Sequence, residues 1–238
     1  MPRAMTLSAE SVARLLEEGR SHRCDGSLET CVRAVAVADL PSRFGDFQVV
    51  AFWNELEKQD HAAFVHGDIE GRERVLVRLH SECLTGDAIG SLRCDCRDQL
   101  IASLERVAKS DGGVVLYLRQ EGRGIGFANK IRAYQLQDQG YDTVEANEAL
   151  GFRADEREYG IAAHMLGSLH VRSIEIMTNN PAKIEDLRRH GVTIAGRIPL
   201  VIPPQPNDRQ YLETKRRKLG HLLDVEQLDC APTEEPTR

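Results

Sequence analysis

The apolar positions of this chain change rhythm as one reads along it. Ser8 stands where a helix cap is expected, ahead of an apolar face made by Val12, Leu15 and Leu16 and a stop near Gly19. Residues 1–40 read as an N-terminal extension. From about Phe44 the text turns to short alternating, β-rich runs, Phe47–Phe52, Ala62–Val65 and Val75–Leu79, set off by Gly45-Asp46, His66-Gly67-Asp68 and Glu70-Gly71. That spacing predicts an antiparallel meander.

A cysteine-bearing loop follows, and the rhythm becomes helical and strand-like in turn. Leu100, Ile101, Leu104 and Val107 share one face of a helix over Asp98–Lys109, and the continuous apolar run Gly113–Leu118 predicts a central strand. Helices are expected at Gly126–Gln139 and Glu156–Leu169, with a strand at Ser173–Thr178. Asn180-Pro181 then opens a helix that Gly191 ends. A basic amphipathic helix is expected at Asp208–Leu223, and the polar tail after Asp224 reads as disordered. The expected architecture is α+β or mixed α/β: an N-terminal antiparallel meander leading into the cysteine loop and an α/β layered region around a mixed sheet. Its boundaries are an extension at 1–40, one domain at 41–223, and an acidic tail at 224–238.

Composition narrows the partners. A formal charge of −6 argues against a general nucleic-acid surface, but not against a local basic pocket for a phosphorylated small molecule. No apolar run approaches the ~18 residues of a membrane span. The N-terminus lacks the layout of a secretory signal, so a cytoplasmic location is expected, where thiols stay reduced and tend to bind metal or do chemistry. Cys24, Cys31 and Cys230 lie in segments with no other chemical signal and read as incidental.

Cys83, Cys94 and Cys96 are different. Three thiolates at this spacing can hold one zinc ion and leave its fourth tetrahedral position open, the arrangement of a catalytic site. Such a site brings the pKa of water towards neutrality. In a regular strand Cys94 and Cys96 would face one way and Asp95 the other. Two other readings stay open here: three small buried hydrophobes, or a closed structural site with His80 as fourth ligand.

Three further segments carry chemistry. In Leu118-Arg119-Gln120-Glu121-Gly122-Arg123-Gly124-Ile125-Gly126, glycines let backbone approach an anion, the arginines offer forked donors to phosphate, and Glu121 suits the N–H edge of a purine. In Met177-Thr178-Asn179-Asn180-Pro181-Ala182-Lys183, a lysine in the first turn of a helix faces the positive end of the dipole, which calls for a negative ligand there. Asp155-Glu156-Arg157 pairs a carboxylate with an arginine; Asp155 also reads as a plain helix cap.

Together these segments resemble the GTP cyclohydrolase II family, zinc enzymes that open the imidazole ring of GTP. The resemblance runs from about Leu40 to Leu223. It rests on Arg78-Leu79-His80-Ser81-Glu82-Cys83-Leu84-Thr85-Gly86-Asp87, Leu92-Arg93-Cys94-Asp95-Cys96, Arg119-Gln120-Glu121-Gly122-Arg123, Asn129-Lys130-Ile131-Arg132-Ala133-Tyr134, Gln137-Asp138-Gln139-Gly140-Tyr141-Asp142-Thr143, Thr178-Asn179-Asn180-Pro181 and Lys218-Leu219-Gly220-His221-Leu222-Leu223.

The resemblance implies zinc, one per subunit, on Cys83, Cys94 and Cys96, and GTP held by Arg78, Leu79, His80, Ser81, Glu82, Gln99, Glu121, Gly122, Arg123, Thr143, Thr178 and Lys183. Glu121 would read guanine, with Arg123, Thr178 and Lys183 nearer the phosphates. Asp155 matches a proton acceptor, Arg157 a nucleophile towards the α-phosphorus, and Tyr134 a tyrosine that positions the ring or water. A guanidinium stays protonated (pKa above ~12), so Arg157 equally suits stabilising charge on the leaving group. The implied reaction uses Mg²⁺ on the substrate phosphates, releases pyrophosphate and formate, and gives 2,5-diamino-6-ribosylamino-4(3H)-pyrimidinone 5′-phosphate, the entry compound to riboflavin. A homodimer is implied, with no nucleic-acid or membrane partner. The departures from the family pattern are the N-terminal extension, the acidic tail and the lack of a fused dihydroxybutanone-phosphate synthase domain. Two other readings are a relative that stops at the formamide and a silent guanine-nucleotide-binding regulator.

Overall fold

The computed structural model describes residues 6–23, 31–203, 216–218 and 220–222. Its centre is a seven-stranded mixed sheet in the order β1-β2-β3-β5-β4-β6-β7. The first half is antiparallel: β1 (Val32–Ser42), β2 (Gly45–Asn54) and β3 (Gln59–His66) form a meander of which β2 and β3 were expected, and β3 pairs antiparallel with β5 (Gly113–Leu118). The second half is parallel: β4 (Val75–Ser81) lies between β5 and β6 (Ile174–Met177), and β6 pairs with β7 (Ile194–Ile198).

The strand at Val75 therefore does not continue the meander. It starts the parallel half, because α2 (Cys96–Ala108) carries the chain back across the sheet to lay β5 beside it. β1 falls in the stretch read as extension. Its run Val-Arg-Ala-Val-Ala-Val-Ala has small apolar residues on both faces, so a period of two is hard to see in it.

Helices cover both faces. Val114, Leu116 and Leu118 of β5, with Val75, Val77 and Leu79 of β4, join one core that includes Leu15 of α1 (Ala9–Ser21), Met165 of α5 (Gly160–Ser168) and Leu187 of α6 (Pro181–Arg189). The opposite face packs Leu76, Val115 and Met177 against Val107 of α2. This alternation decides where the chemistry goes. Side chains in a strand change face at every step, so Arg78 and His80 share the α2 side with Leu76.

Ser8 caps α1 as expected, its hydroxyl accepting from the Ser11 N–H, although the helix runs on to Ser21. α3 (Gly126–Gln137) and α6 follow their expected spans closely. α5 begins only at Gly160; the Asp155–Glu158 segment ahead of it is not helical. α4 (Thr143–Ala149), opened by a reciprocal cap between Asp142 and Glu145, and β7 were not anticipated. Most of the expected helix at 208–223 and all of the tail lie outside the described residues. No helix among the described residues is long and apolar enough to cross a membrane.

Candidate active site

In an open parallel sheet, ligands bind at the carboxyl ends of the strands where the order reverses. Here β5 lies on one side of β4 and β6 on the other, so the reversal falls between β4 and β6. A cavity of about 530 Å³ opens at those ends. Its wall takes Ser81 to Cys83 after β4, Gln120 to Arg123 after β5, and Thr178 to Asn180 after β6. Cys94, Cys96, Gln99, Lys130, Tyr134, Thr143, Arg157, Lys183 and His221 are also among the lining residues. Lys218 beside it pairs with Asp142 and Glu145 at the start of α4.

The three cysteines converge. Their sulfurs lie within 4.8 Å of one another, with 3.7 Å between those of Cys83 and Cys94. Two thiolates on one tetrahedral zinc lie ~3.8 Å apart, given Zn–S bonds of ~2.3 Å. Hydrogen bonds from the Cys94 and Cys96 thiols hold the Cys83 thiol far below its usual range despite burial, with the Lys130 ammonium adding to the effect. Bonding to Cys83 pushes Cys94 up to about 11, and bonding to Cys83 and Cys94 pushes Cys96 well above the ordinary thiol value. The protein by itself thus favours one thiolate of three. A dication is the ligand that would allow all three, and the sulfur spacing fits it.

The loop that presents Cys83 is held by one carboxylate. Asp87, in a single π-helical turn (Leu84–Ala88), accepts from the Cys83 N–H at 3.0 Å, the Tyr117 hydroxyl at 2.8 Å and His80 Nε2 at 3.0 Å. His80 also stacks on Tyr117. Its Nε2 is thus engaged by Asp87, and the imidazole does not gather with the three thiols. Cys96 is the first residue of α2 rather than part of a strand, with Asp95 in the capping position. Gly86 lies directly under the sulfurs: a Cβ there would meet Cys94 Sγ at 2.9 Å and Cys83 Sγ at 3.0 Å.

Lys130 is the principal residue that the sequence left without a role. Its ammonium is buried and donates to Cys83 Sγ at 3.1 Å and Glu121 Oε1 at 2.8 Å. Burial opposes its charge, but Glu121 and the Cys83 sulfur raise its pKa above the ordinary lysine value. The available signal was helical spacing: Lys130 shares the buried face of α3 with Ala133. Glu121 is committed on both oxygens, Oε2 accepting from the Leu84 N–H at 2.7 Å and Oε1 from Lys130 and the Gly122 N–H. Gly122 and Arg123 are both left-handed, at φ 63° and 62°. That conformation is free for glycine and strained for arginine, of a kind that gathers at functional loops.

A cationic wall faces the thiols. Buried Arg78 donates to the Met177 carbonyl at 3.0 Å and Gln99 Oε1 at 2.6 Å, and Gln99 in turn donates to Asp95. The Arg78 Nε is buried without a hydrogen-bond partner. Lys183, in the first turn of α6, donates to the Leu79 carbonyl at 2.9 Å. The Thr178 hydroxyl accepts from the Asn180 N–H at 3.0 Å. Arg157 grips Asp155 through Nε at 2.8 Å and Nη2 at 2.5 Å, and its Nη1 reaches the Ser81 hydroxyl at 3.4 Å. Burial acts to raise the Asp155 pKa, but its bonds to Arg157 outweigh this and keep it below the ordinary value. Asp155 is absent from the cavity wall, behind Arg157, and the Leu79 side chain points into the core. The Tyr134 hydroxyl lies 3.4 Å from that of Thr85, beside the thiols, with Arg93 over the ring.

Fold and site define a class: mixed α/β proteins in which a three-thiol cluster and a cationic wall share one cavity at the ends of parallel strands. The comparisons give the family. A model described as GTP cyclohydrolase II matches residues 32–199. The GTP cyclohydrolase-2 of Picrophilus torridus is 56% identical over 186 residues, covering 78% of this chain and 96% of that protein. That of Escherichia coli O9:H4 is 53% identical over 193 residues, covering 81% and 98%. The riboflavin biosynthesis protein RibBA of Bacillus subtilis is 54% identical over 198 residues, covering 83% of this chain but only 50% of its own length. The chain belongs to the GTP cyclohydrolase II family, a family of hydrolases.

Proposed function

We propose that the protein hydrolyses the imidazole ring of GTP at C8, releasing formate and pyrophosphate and leaving 2,5-diamino-6-ribosylamino-4(3H)-pyrimidinone 5′-phosphate for riboflavin synthesis, as a cytoplasmic homodimer. The observation that carries this is the sharing of one cavity by a three-thiol cluster and the wall of Arg78, Arg123, Arg157 and Lys183. One element suits ring opening by water, the other a triphosphate.

Cys83, Cys94 and Cys96 would hold zinc, which supplies the Lewis acidity that makes water nucleophilic near neutral pH. Mg²⁺ would come with the substrate phosphates and waters, its usual partners. Thr178 and Lys183, at the opening of α6, bind phosphate, since the positive helix end and the ammonium act together there. Arg157 stabilises charge on departing pyrophosphate. Its forked pairing with Asp155 favours the protonated guanidinium, which leaves no lone pair for attack. Asp155 holds that fork in place and takes a proton only if the pair opens. Glu121 keeps Lys130 against Cys83; to read guanine it must exchange the Leu84 N–H for the base edge. The Tyr134 hydroxyl, whose pKa burial raises, remains a donor that orients base or water beside the thiols.

The test is incubation with GTP, Mg²⁺ and Zn²⁺, following formate, pyrophosphate and product mass together. Formate with the diaminopyrimidine mass supports the reading. A formamide mass without formate selects an enzyme that stops after the first hydration, and tight GTP binding without turnover selects a regulator.

A further inference from the structure

A second cluster of metal-ligating side chains lies away from the cavity. His22 closes the C-terminal end of α1, Cys31 immediately precedes β1, and His164 projects from α5. One ligand atom from each lies within 4.8 Å of the other two. His22 Nε2 is 3.2 Å from Cys31 Sγ, and the two imidazole rings are 5.0 Å apart, tilted at 57°. None of the three lines the catalytic cavity. Cys31 is buried, and the histidines are half-buried. The approach that brings them together is built in: a Cβ on Gly19 would meet the Ala34 carbonyl oxygen at 2.1 Å, so glycine alone lets the end of α1 lie against β1.

We propose that His22, Cys31 and His164 form a second metal site, for zinc, when Cys31 is reduced. Two imidazole nitrogens and one thiolate suit a borderline-soft dication, with water at the fourth position. Around tetrahedral zinc, nitrogen and sulfur ligands lie ~3.3–3.6 Å apart, close to the separation of His22 and Cys31. Oxidation state controls the site. Cys31 is disulfide-bonded here, and a sulfur in a disulfide has no thiolate to give. A dithiol reductant passes two electrons and two protons to the two sulfurs and is itself oxidised to a disulfide. Zinc then takes the Cys31 sulfur as thiolate, releasing its proton. Metal and disulfide are alternatives at the Cys31 sulfur, and the metal would tie the start of β1 to α1 and α5.

The full-length protein, reduced with a phosphine that offers zinc no competing thiolate, is loaded with zinc, desalted and assayed for metal. The expected content is about two zinc ions per chain in the wild type and about one in either His164→Asn or Cys94→Ser. His22→Asn serves as a second variant if His164→Asn fails to fold. Equal zinc in wild type and both histidine variants, or loss of all zinc in Cys94→Ser, overturns the proposal. Zinc retained in Cys94→Ser but lost in His164→Asn upholds it, even if the three-thiol centre proves not to bind metal. Oxidation of Cys94→Ser with a disulfide should release the remaining ion; retention would overturn the mutual exclusion.

Discussion

The sheet joins two halves with different duties. The antiparallel strands β1 to β3 bury Phe52, Val50 and Ala63 and line none of the candidate-site cavity. The parallel strands β4 to β6 place inward positions in the same core but lead into loops that carry Cys83, Glu121 and Thr178 to the cavity. The difference follows from chain direction. Neighbouring antiparallel strands end on opposite edges of a sheet, whereas parallel strands deliver every carboxyl end to one edge, where loops from separate parts of the sequence meet. Stability and chemistry should therefore separate on substitution, and the predictions below test how cleanly.

The largest effect is expected at the thiols. Cys94→Ser removes one sulfur from the cluster and should lower formate release by ~10³-fold or more, because the activated water depends on the metal. Thermal unfolding of the metal-free protein should change little. A variant that released formate at the wild-type rate would remove the thiol cluster from the reaction.

Much of this division is legible in the sequence, for reasons that differ between the halves. Alternation in Phe47–Phe52 and Ala62–Val65 reads directly as half-buried strands. The continuous run at Gly113–Leu118 reads as a central one. Cysteine spacing points to a cluster of thiols, and the fold brings the three sulfurs together. What stays hidden depends on long-range pairing. Asp87 reads as a turn residue until the fold brings Tyr117 and His80 to it. Lys130 is given no role by the sequence until α3 docks it on Cys83. Short α4 has too few turns to show a period, and Cys31 has no meaning until α5 supplies His164.

In the antiparallel half, Phe52 is fully buried on the α1/α5 side of the sheet. Phe52→Ala should cost about 3–5 kcal/mol of stability through lost burial and a cavity. Turnover per folded molecule should stay near wild type, read at a temperature well below the lowered midpoint. A fall in kcat equal to that of Cys94→Ser would show that the halves are not separable.

The same half carries a pH-dependent element. His61 in β3 is buried, and its Nδ1 accepts from the Arg119 N–H at 3.1 Å, which a proton on that nitrogen would forbid. Burial first, then the Arg119 charge, lowers its pKa from 6.5 to about 4. The unfolded chain therefore takes up a proton before the folded one does as pH falls. The stabilisation is complete above about pH 6.5 and is lost on descending to about pH 4, by roughly 3 kcal/mol. Denaturant unfolding of wild type and His61→Gln across that window should show a smaller pH slope in the variant. Identical slopes would mean that His61 titrates alike in both states.

The smallest effect probes the parallel half at a residue with no polar side chain at all. Gly86 has no ligand role, yet its α-carbon lies against the sulfurs, and a methyl there meets Cys94 Sγ at 2.9 Å and Cys83 Sγ at 3.0 Å. Those contacts are below any normal carbon–sulfur distance, so the thiols must spread or the loop must lift. Spreading breaks the match between the 3.7 Å sulfur separation and the ~3.8 Å that tetrahedral zinc requires. Lifting strains the bond by which Asp87, one residue on, holds the Cys83 N–H. Either route should weaken zinc by about 10–100-fold, the usual cost of disturbing the shell that supports a metal site. Chelator competition reads this directly, while Phe52→Ala should leave zinc affinity unchanged. Wild-type affinity in Gly86→Ala would show that the thiol cluster tolerates a looser geometry than its packing implies.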